Sequence, residues 1–137
     1  MAVYLDTSIL VSAFVEDDHS DRVAVFLTGR RDFVVSSWAE AEFSSALGVR
    51  IRSGALDDEA RAEAEDVFDG WLVGQTACRL DELDIIRSRT LLREGARLRT
   101  PDALHLAVVL RHGYGLATLD HELSRAARLK GVEVAVL

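Results

Sequence analysis

Short apolar runs at residues 2–5, 33–36, 115–118 and 132–137 alternate with stretches long enough to hold one or more helices, and this alternation constrains the fold more than any other feature. Strands joined through helical crossovers lie parallel, and a parallel sheet must be covered on both faces. The expected fold class is therefore α/β, a three-layer α/β/α domain with a central parallel sheet of four to five strands. A further short strand is expected at 78–80. No linker, repeat or low-complexity tract interrupts the 137 residues, and that length suits one domain spanning 1–137.

The helices announce themselves through caps and stops. Residues 9–15 have helical spacing, and Ser20 is placed to cap a helix that Gly29 stops. Ser37 and Glu40 have the spacing of a capping box for a helix ending near Gly54. Asp57 caps another, on which Ala60, Ala64, Val67, Phe68, Trp71 and Leu72 fall at helical spacing, so Phe68, Trp71 and Trp38 are expected in the core. A helix is expected over 85–94. Thr100 and Pro101 read as N-cap and first residue of a helix that Gly113 ends. The last helix spans 121–130 and stops at Gly131.

Composition excludes several classes. A 49% hydrophobic and 28% charged chain can bury a core, which rules out a disordered tail. The single cysteine, Cys78, excludes an internal disulfide framework and a cysteine-based zinc site, and with no secretory or membrane-spanning stretch it points to a cytoplasmic protein with no membrane partner. Net charge is −7, which argues against holding nucleic acid by bulk charge. Local charge departs from that average. Arg87, Arg89, Arg93, Arg97 and Arg99 face only Glu94 over 87–99, and Arg89, Arg93 and Arg97 recur every fourth residue, as an RNA track or a solvated helix face would. Residues 57–69 are the reverse, with seven acids against Arg61.

Carboxylates stand where apolar strands end. Asp6 follows the first run and Asp120 comes two residues after Thr118. In open parallel sheets ligands bind beyond the carboxyl ends of the strands, which puts both at one rim. Each could also be a helix cap. Asp102, expected at the second position of its helix, suits the helix dipole and could be aimed at the same place. Glu40 and Glu42 are about 200° apart on a helix, so only one can join them. Glu40 has the capping box. Glu42 shares an arc with Trp38, Ala46 and Val49 and is the functional choice, although the helical wheel alone does not separate the two. Converging carboxylates repel unless a cation compensates, and an all-oxygen set suits Mg²⁺ or Mn²⁺.

Val3-Tyr4-Leu5-Asp6-Thr7-Ser8, Ala41-Glu42-Phe43, Thr100-Pro101-Asp102-Ala103-Leu104-His105 and Thr118-Leu119-Asp120 occur in an order and spacing that resembles the PIN domain, and within it the VapC-type toxin ribonucleases of bacterial toxin-antitoxin pairs. The resemblance covers essentially the whole chain. It implies an acidic quartet of Asp6, Glu42, Asp102 and Asp120 holding one or two metal ions, with supporting hydroxyls at Thr7, Ser8 and Thr118. It also implies Mg²⁺-dependent endoribonuclease activity by metal-activated water, a homodimer, and a cognate antitoxin as partner. Two rival readings are a phosphatase with Asp6 as nucleophile, against which Ser8 stands where a second Asp is expected, and a PIN-like binding module that cleaves nothing. The four histidines show no metal-ligand spacing. His105 lies within helical reach of Asp102, though a packed or solvated histidine is the commoner outcome.

Overall fold

The computed structural model describes residues 1–30, 32–95 and 97–137. Its strands are β1 (Val3–Leu5), β2 (Phe33–Ser36), β3 (Thr76–Cys78) and β4 (Gly115–Ala117), all parallel, in the order β3-β2-β1-β4. The helices are α1 (Thr7–Phe14), α2 (Ser20–Leu27), α3 (Ser37–Arg52), α4 (Asp58–Leu72), α5 (Glu82–Arg93), α6 (Thr100–His112) and α7 (His121–Leu129). The expected fold class holds.

Alternation along the strands sorts the core into two layers. Val3, Leu5, Phe33, Val35 and Ala117 face one side, where α1 to α4 pack with Ile9, Leu10, Phe43, Leu47 and Phe68. Tyr4, Val34 and Leu116 face the other, under α5, α6 and α7 with Leu91, Leu106, Val109 and Leu123. On the first side Phe43 and Phe68 lie 4.1 Å apart between ring centroids, and Phe14 meets Phe68 edge-on at 5.3 Å. Phe68 is buried as expected, while Trp38 and Trp71 are only partly covered.

Several expected boundaries move by local physics. The strand expected at 78–80 is β3, two residues earlier. The helix expected over 85–94 starts at Glu82, because Asp81 and Asp84 form a capping box. The box expected from Ser37 and Glu40 does not form. Ser36 is the N-cap instead, its Oγ accepting from Ala39 N at 3.0 Å, and Ser37 Oγ accepts from Leu80 N. Arg99 rather than Thr100 occupies the N-cap of α6, which moves Asp102 to the third helical position. Residues 132–137 make one parallel bridge, Leu116 to Val134, and no strand. At the sheet edge only Val134 finds that partner, and Val136 is exposed.

The topology fixes where a ligand belongs. From β1 the chain moves outward to β2 and β3, then returns to the other side of β1 as β4. Connections leaving β1 and β4 therefore diverge, opening a crevice at the carboxyl ends of these two strands.

An ion pair, buried at Asp84 and open to solvent at Arg111, locks α5 to α6. Asp84, 1% exposed, accepts from Arg111 Nε at 2.7 Å and from a second guanidinium nitrogen at 2.8 Å, and it also takes the Asp81 N–H at 2.8 Å. Removing one member of such a pair strands the other charge. Arg111→Leu is expected to cost about 3 kcal/mol in urea unfolding, and Asp84→Leu combined with Arg111→Leu to recover a large part of it.

Candidate active site

Asp6 is the first residue beyond β1 and the N-cap of α1, its Oδ1 accepting from Ile9 N at 3.2 Å. Ser8 Oγ–H donates to the same oxygen at 2.6 Å, and Thr118 Oγ–H donates to Oδ2. The two hydroxyls are themselves held from β4's end: Leu119 N donates to Ser8 Oγ at 2.9 Å, and Asp120 N to Thr118 Oγ1 at 3.0 Å. A carboxylate only 3% exposed is thus answered on both oxygens. Burial still raises its pKa, opposed by His105 and by the two hydroxyls and the Ile9 N–H.

Asp120 caps α7, accepting from Leu123 N at 2.7 Å through Oδ1. Asp102, in the first turn of α6, has no side-chain hydrogen bond among the described residues. Its pKa is pushed up to about 6, first by burial, then by the charges of Asp120 and Asp6, with His105 and Arg99 pulling the other way. The charges of Asp120 and Asp6 thus reach Asp102. The capping reading of Asp6 and Asp120 holds for both.

Glu42, on α3, joins from the opposite wall. Its Oε1 accepts from Thr7 Oγ at 2.8 Å and from His105 Nε2 at 2.5 Å. Burial pushes its pKa up, but the His105 hydrogen bond and charge, Thr7 and Arg99 outweigh that, and the net direction is down. Glu40 makes no hydrogen bond among the described residues, so packing separates the two glutamates where the helical wheel did not. The arc assumed for Glu42 needs correction. Val49 is 54% exposed, and the inward face runs through Ala39, Phe43 and Leu47, leaving Glu42 at its flank, where it reaches both the rim and α6.

The arginine track is also corrected. Helix α5 ends at Arg93, and Gly95 turns the chain with φ 80°, so Arg97 does not continue the face of Arg89 and Arg93. Arg97 instead lines a depression with Glu94, Glu122, Arg125 and Lys130. The arginine whose charge reaches the carboxylates is Arg99, which counters both Glu42 and Asp102. A groove of about 400 Å³ opens beside the rim, lined by Thr7, Ser8 and Asp120 and flanked by His19, Asp17 and Arg50.

Sequence inspection missed Tyr4 and Ser36. It allowed His105 a bond to Asp102 but favoured a packed or solvated ring, and His105 is packed, 2% exposed, bonding Glu42 and Tyr4. The available signal was a tyrosine inside an apolar strand, whose hydroxyl must find a partner once buried.

The donors fit a hard divalent cation. They are carboxylate oxygens, and a cation would offset both the burial and the neighbouring charges of Asp120 and Asp6 that raise Asp102. Among the described residues no group of three or more His, Cys, Asp or Glu side chains is arranged to hold a metal ion together. Mg²⁺ does not require one, because it binds through one or two carboxylates and keeps several waters.

The PIN domain family profile matches residues 3–129. Ribonuclease VapC46 of Mycobacterium tuberculosis is 33% identical over 142 residues, covering 97% of this chain and 95% of the relative. Among solved structures, FitAcB from Neisseria gonorrhoeae superposes with a TM-score of 0.76 at 17% identity, covering 98% of this chain and 96% of that one. Mycobacterium tuberculosis VapC20, a sarcin-ricin loop cleaving toxin, superposes with a TM-score of 0.73 at 17% identity, covering 91% and 95%. The two structures establish likeness of fold.

Raised carboxyl pKa values carry a definite sign for stability. Between the unfolded value near 4 and the folded value of about 6, the native state holds the Asp102 proton more firmly than the unfolded chain does, so stability falls as pH rises through that window. Glu42 acts oppositely and only at lower pH, because its pKa is lowered. In chelator, Asp102→Asn is expected to gain on the wild type between pH 4.5 and 7 by on the order of 1 kcal/mol, a figure discounted for its half-buried position. Thermal melts across that range read the difference directly.

Proposed function

The chain belongs to the PIN domain family, and from that premise we propose that it is a divalent-metal-dependent endoribonuclease serving as the toxin of a toxin-antitoxin pair. The observation that carries this is the rim itself, where the charges of Asp120 and Asp6 reach Asp102 near the carboxyl ends of β1 and β4, while Glu42 bonds Thr7 and His105 from α3. The 33% identity to a ribonuclease over nearly the whole chain supports RNA as the substrate. A cation held by Asp6, Glu42, Asp102 and Asp120, Mg²⁺ or Mn²⁺, would neutralise these carboxylates, bind phosphate oxygens and activate water for in-line attack.

The chain's own groups divide the remaining work. Asp6 is fixed by Ser8, Thr118 and the Ile9 N–H, and so supplies a stationary negative charge. Asp102 lacks a hydrogen-bond partner among the described residues and is free to orient a water or take its proton. Arg99, whose charge lowers the pKa of Glu42 and opposes the rise at Asp102, is suited to the phosphate backbone. Arg89, Arg93 and Arg97 remain a proposal for more distant RNA contact, as two separate positions rather than one stripe. A phosphatase mechanism with Asp6 as nucleophile is disfavoured, because Ser8 stands where that chemistry needs a second Asp.

The toxin role extends to partners. We assign a cytoplasmic homodimer, silenced by an antitoxin that enters the acidic groove with a basic side chain and competes with the cation. The decisive assay incubates purified protein with RNA in Mg²⁺, in Mn²⁺ and in EDTA. Cleavage is expected only with metal, and to be lost in Asp6→Asn while that variant stays folded. At a hundredfold excess over its dissociation constant, Mn²⁺ should stabilise the wild type by about 2.7 kcal/mol and Asp6→Asn by little. Cleavage in EDTA, or equal metal shifts in both proteins, would overturn the reading.

A further inference from the structure

A buried chain of polar groups runs behind the rim and ends on Glu42. Ser36 Oγ lies 2.6 Å from Tyr4 Oη, Tyr4 Oη 2.6 Å from His105 Nδ1, and His105 Nε2 2.5 Å from Glu42 Oε1. Ser36 and Tyr4 are fully buried and His105 is 2% exposed. These groups come from β2, β1 and α6, and around His105 the helix buries only apolar residues, Ala103, Leu104, Leu106 and Ala107. A polar chain crossing such a core is costly unless every member is satisfied.

The partners set the direction of the protons. Ser36 Oγ already accepts from Ala39 N at the cap of α3, so its hydrogen is available to Tyr4 Oη. Tyr4 then donates to His105 Nδ1, which leaves the proton on Nε2, where it donates to Glu42. This ordering gives every atom of the polar chain a partner. Burial raises the Tyr4 pKa, which keeps its hydroxyl protonated as a donor. Thr7 Oγ–H donates to the same Glu42 oxygen. Both donors therefore meet on Oε1, and among the described residues no hydrogen bond reaches Oε2.

We propose that His105 is a positioning residue which, backed by Tyr4 and Ser36, clamps Glu42 through Oε1 and leaves Oε2 as the oxygen that engages the divalent cation or its water. The inference rests on the metal-dependent nuclease reading. Hard cations prefer oxygen over imidazole nitrogen, which fits a histidine placed behind the carboxylate rather than among the donors. Such outer partners fix the orientation of a metal-binding carboxylate.

The test uses the whole chain as wild type, Tyr4→Phe, His105→Leu and His105→Gln, with Mn²⁺ titrated by calorimetry and RNA cleavage followed at steady state. Tyr4→Phe keeps the ring and removes only the hydroxyl. It should weaken Mn²⁺ binding by roughly 10-fold and lower kcat while KM for RNA stays near the wild-type value. His105→Leu should do at least as much, and His105→Gln, whose amide N–H can still reach Oε1, should recover part of the loss. Nitrogen-15 NMR of the metal-free wild type should find His105 as the Nε2–H tautomer. Wild-type Mn²⁺ affinity and kcat in folded Tyr4→Phe, or an Nδ1–H tautomer in the wild type, would overturn the positioning role alone. A wild type that neither binds Mn²⁺ nor cleaves RNA would overturn the nuclease reading and this inference with it.

Discussion

A carboxylate placed in the interior at the end of a central strand is tolerated only if its lone pairs are answered, and the answer to Asp6 organises the rim of this protein. Its donors come from two separate connections, Ser8 and Ile9 after β1 and Thr118 after β4. Both hydroxyls are in turn oriented by backbone N–H groups of Leu119 and Asp120. One buried charge thus stitches the loop leaving β4 onto the start of α1, across the crevice where the sheet changes direction. Moving either loop would leave a buried charge unsatisfied, so the crevice is held rigidly.

The surrounding carboxylates share a common economy of atoms. Asp120 spends Oδ1 on capping α7, and Glu42 spends Oε1 on Thr7 and His105. Each keeps an oxygen with no hydrogen bond among the described residues. A ligand site built this way needs no separate scaffold, since the interactions that start helices and join layers also aim the side chains. Asp102, beside them, has its pKa raised first by burial and then by the charges of Asp120 and Asp6.

Charge is distributed to match. The chain carries −7 overall, and the seven acids over 57–69 lie on α4 and its cap, away from the carboxyl ends of β1 and β4. Arg99 stands at the cap of α6 beside the site, and Arg50 flanks the groove next to Thr7 and Ser8. A polyanion approaching the rim meets guanidinium groups at its edge and acids only where a cation would sit between them. The second face of the sheet is stabilised differently, through the Asp84–Arg111 pair that ties α5 to α6 and so supports the helix carrying Asp102 and His105.

Local physics made most of the elements legible in the amino-acid sequence. Apolar runs of the right length, an aspartate at a strand end and a glycine after a helix act within a few residues, which is why β1, β2, β4, the Asp57 cap and the Gly113 stop stand where the pattern puts them. Asp6, Asp102 and Asp120 were legible for the same reason, each tied to an element end. What the sequence could not determine is whatever depends on partners distant in the chain. Packing of α3 on the sheet selects Glu42 over Glu40, and the Tyr4–His105 bond spans 101 positions. A left-handed Gly95 breaks the arginine periodicity, and the last apolar run finds one bridge instead of a strand. Sequence periodicity reports which face a residue occupies on its own element, whereas these outcomes turn on which atoms stand opposite that face. Only the assembled layers decide that.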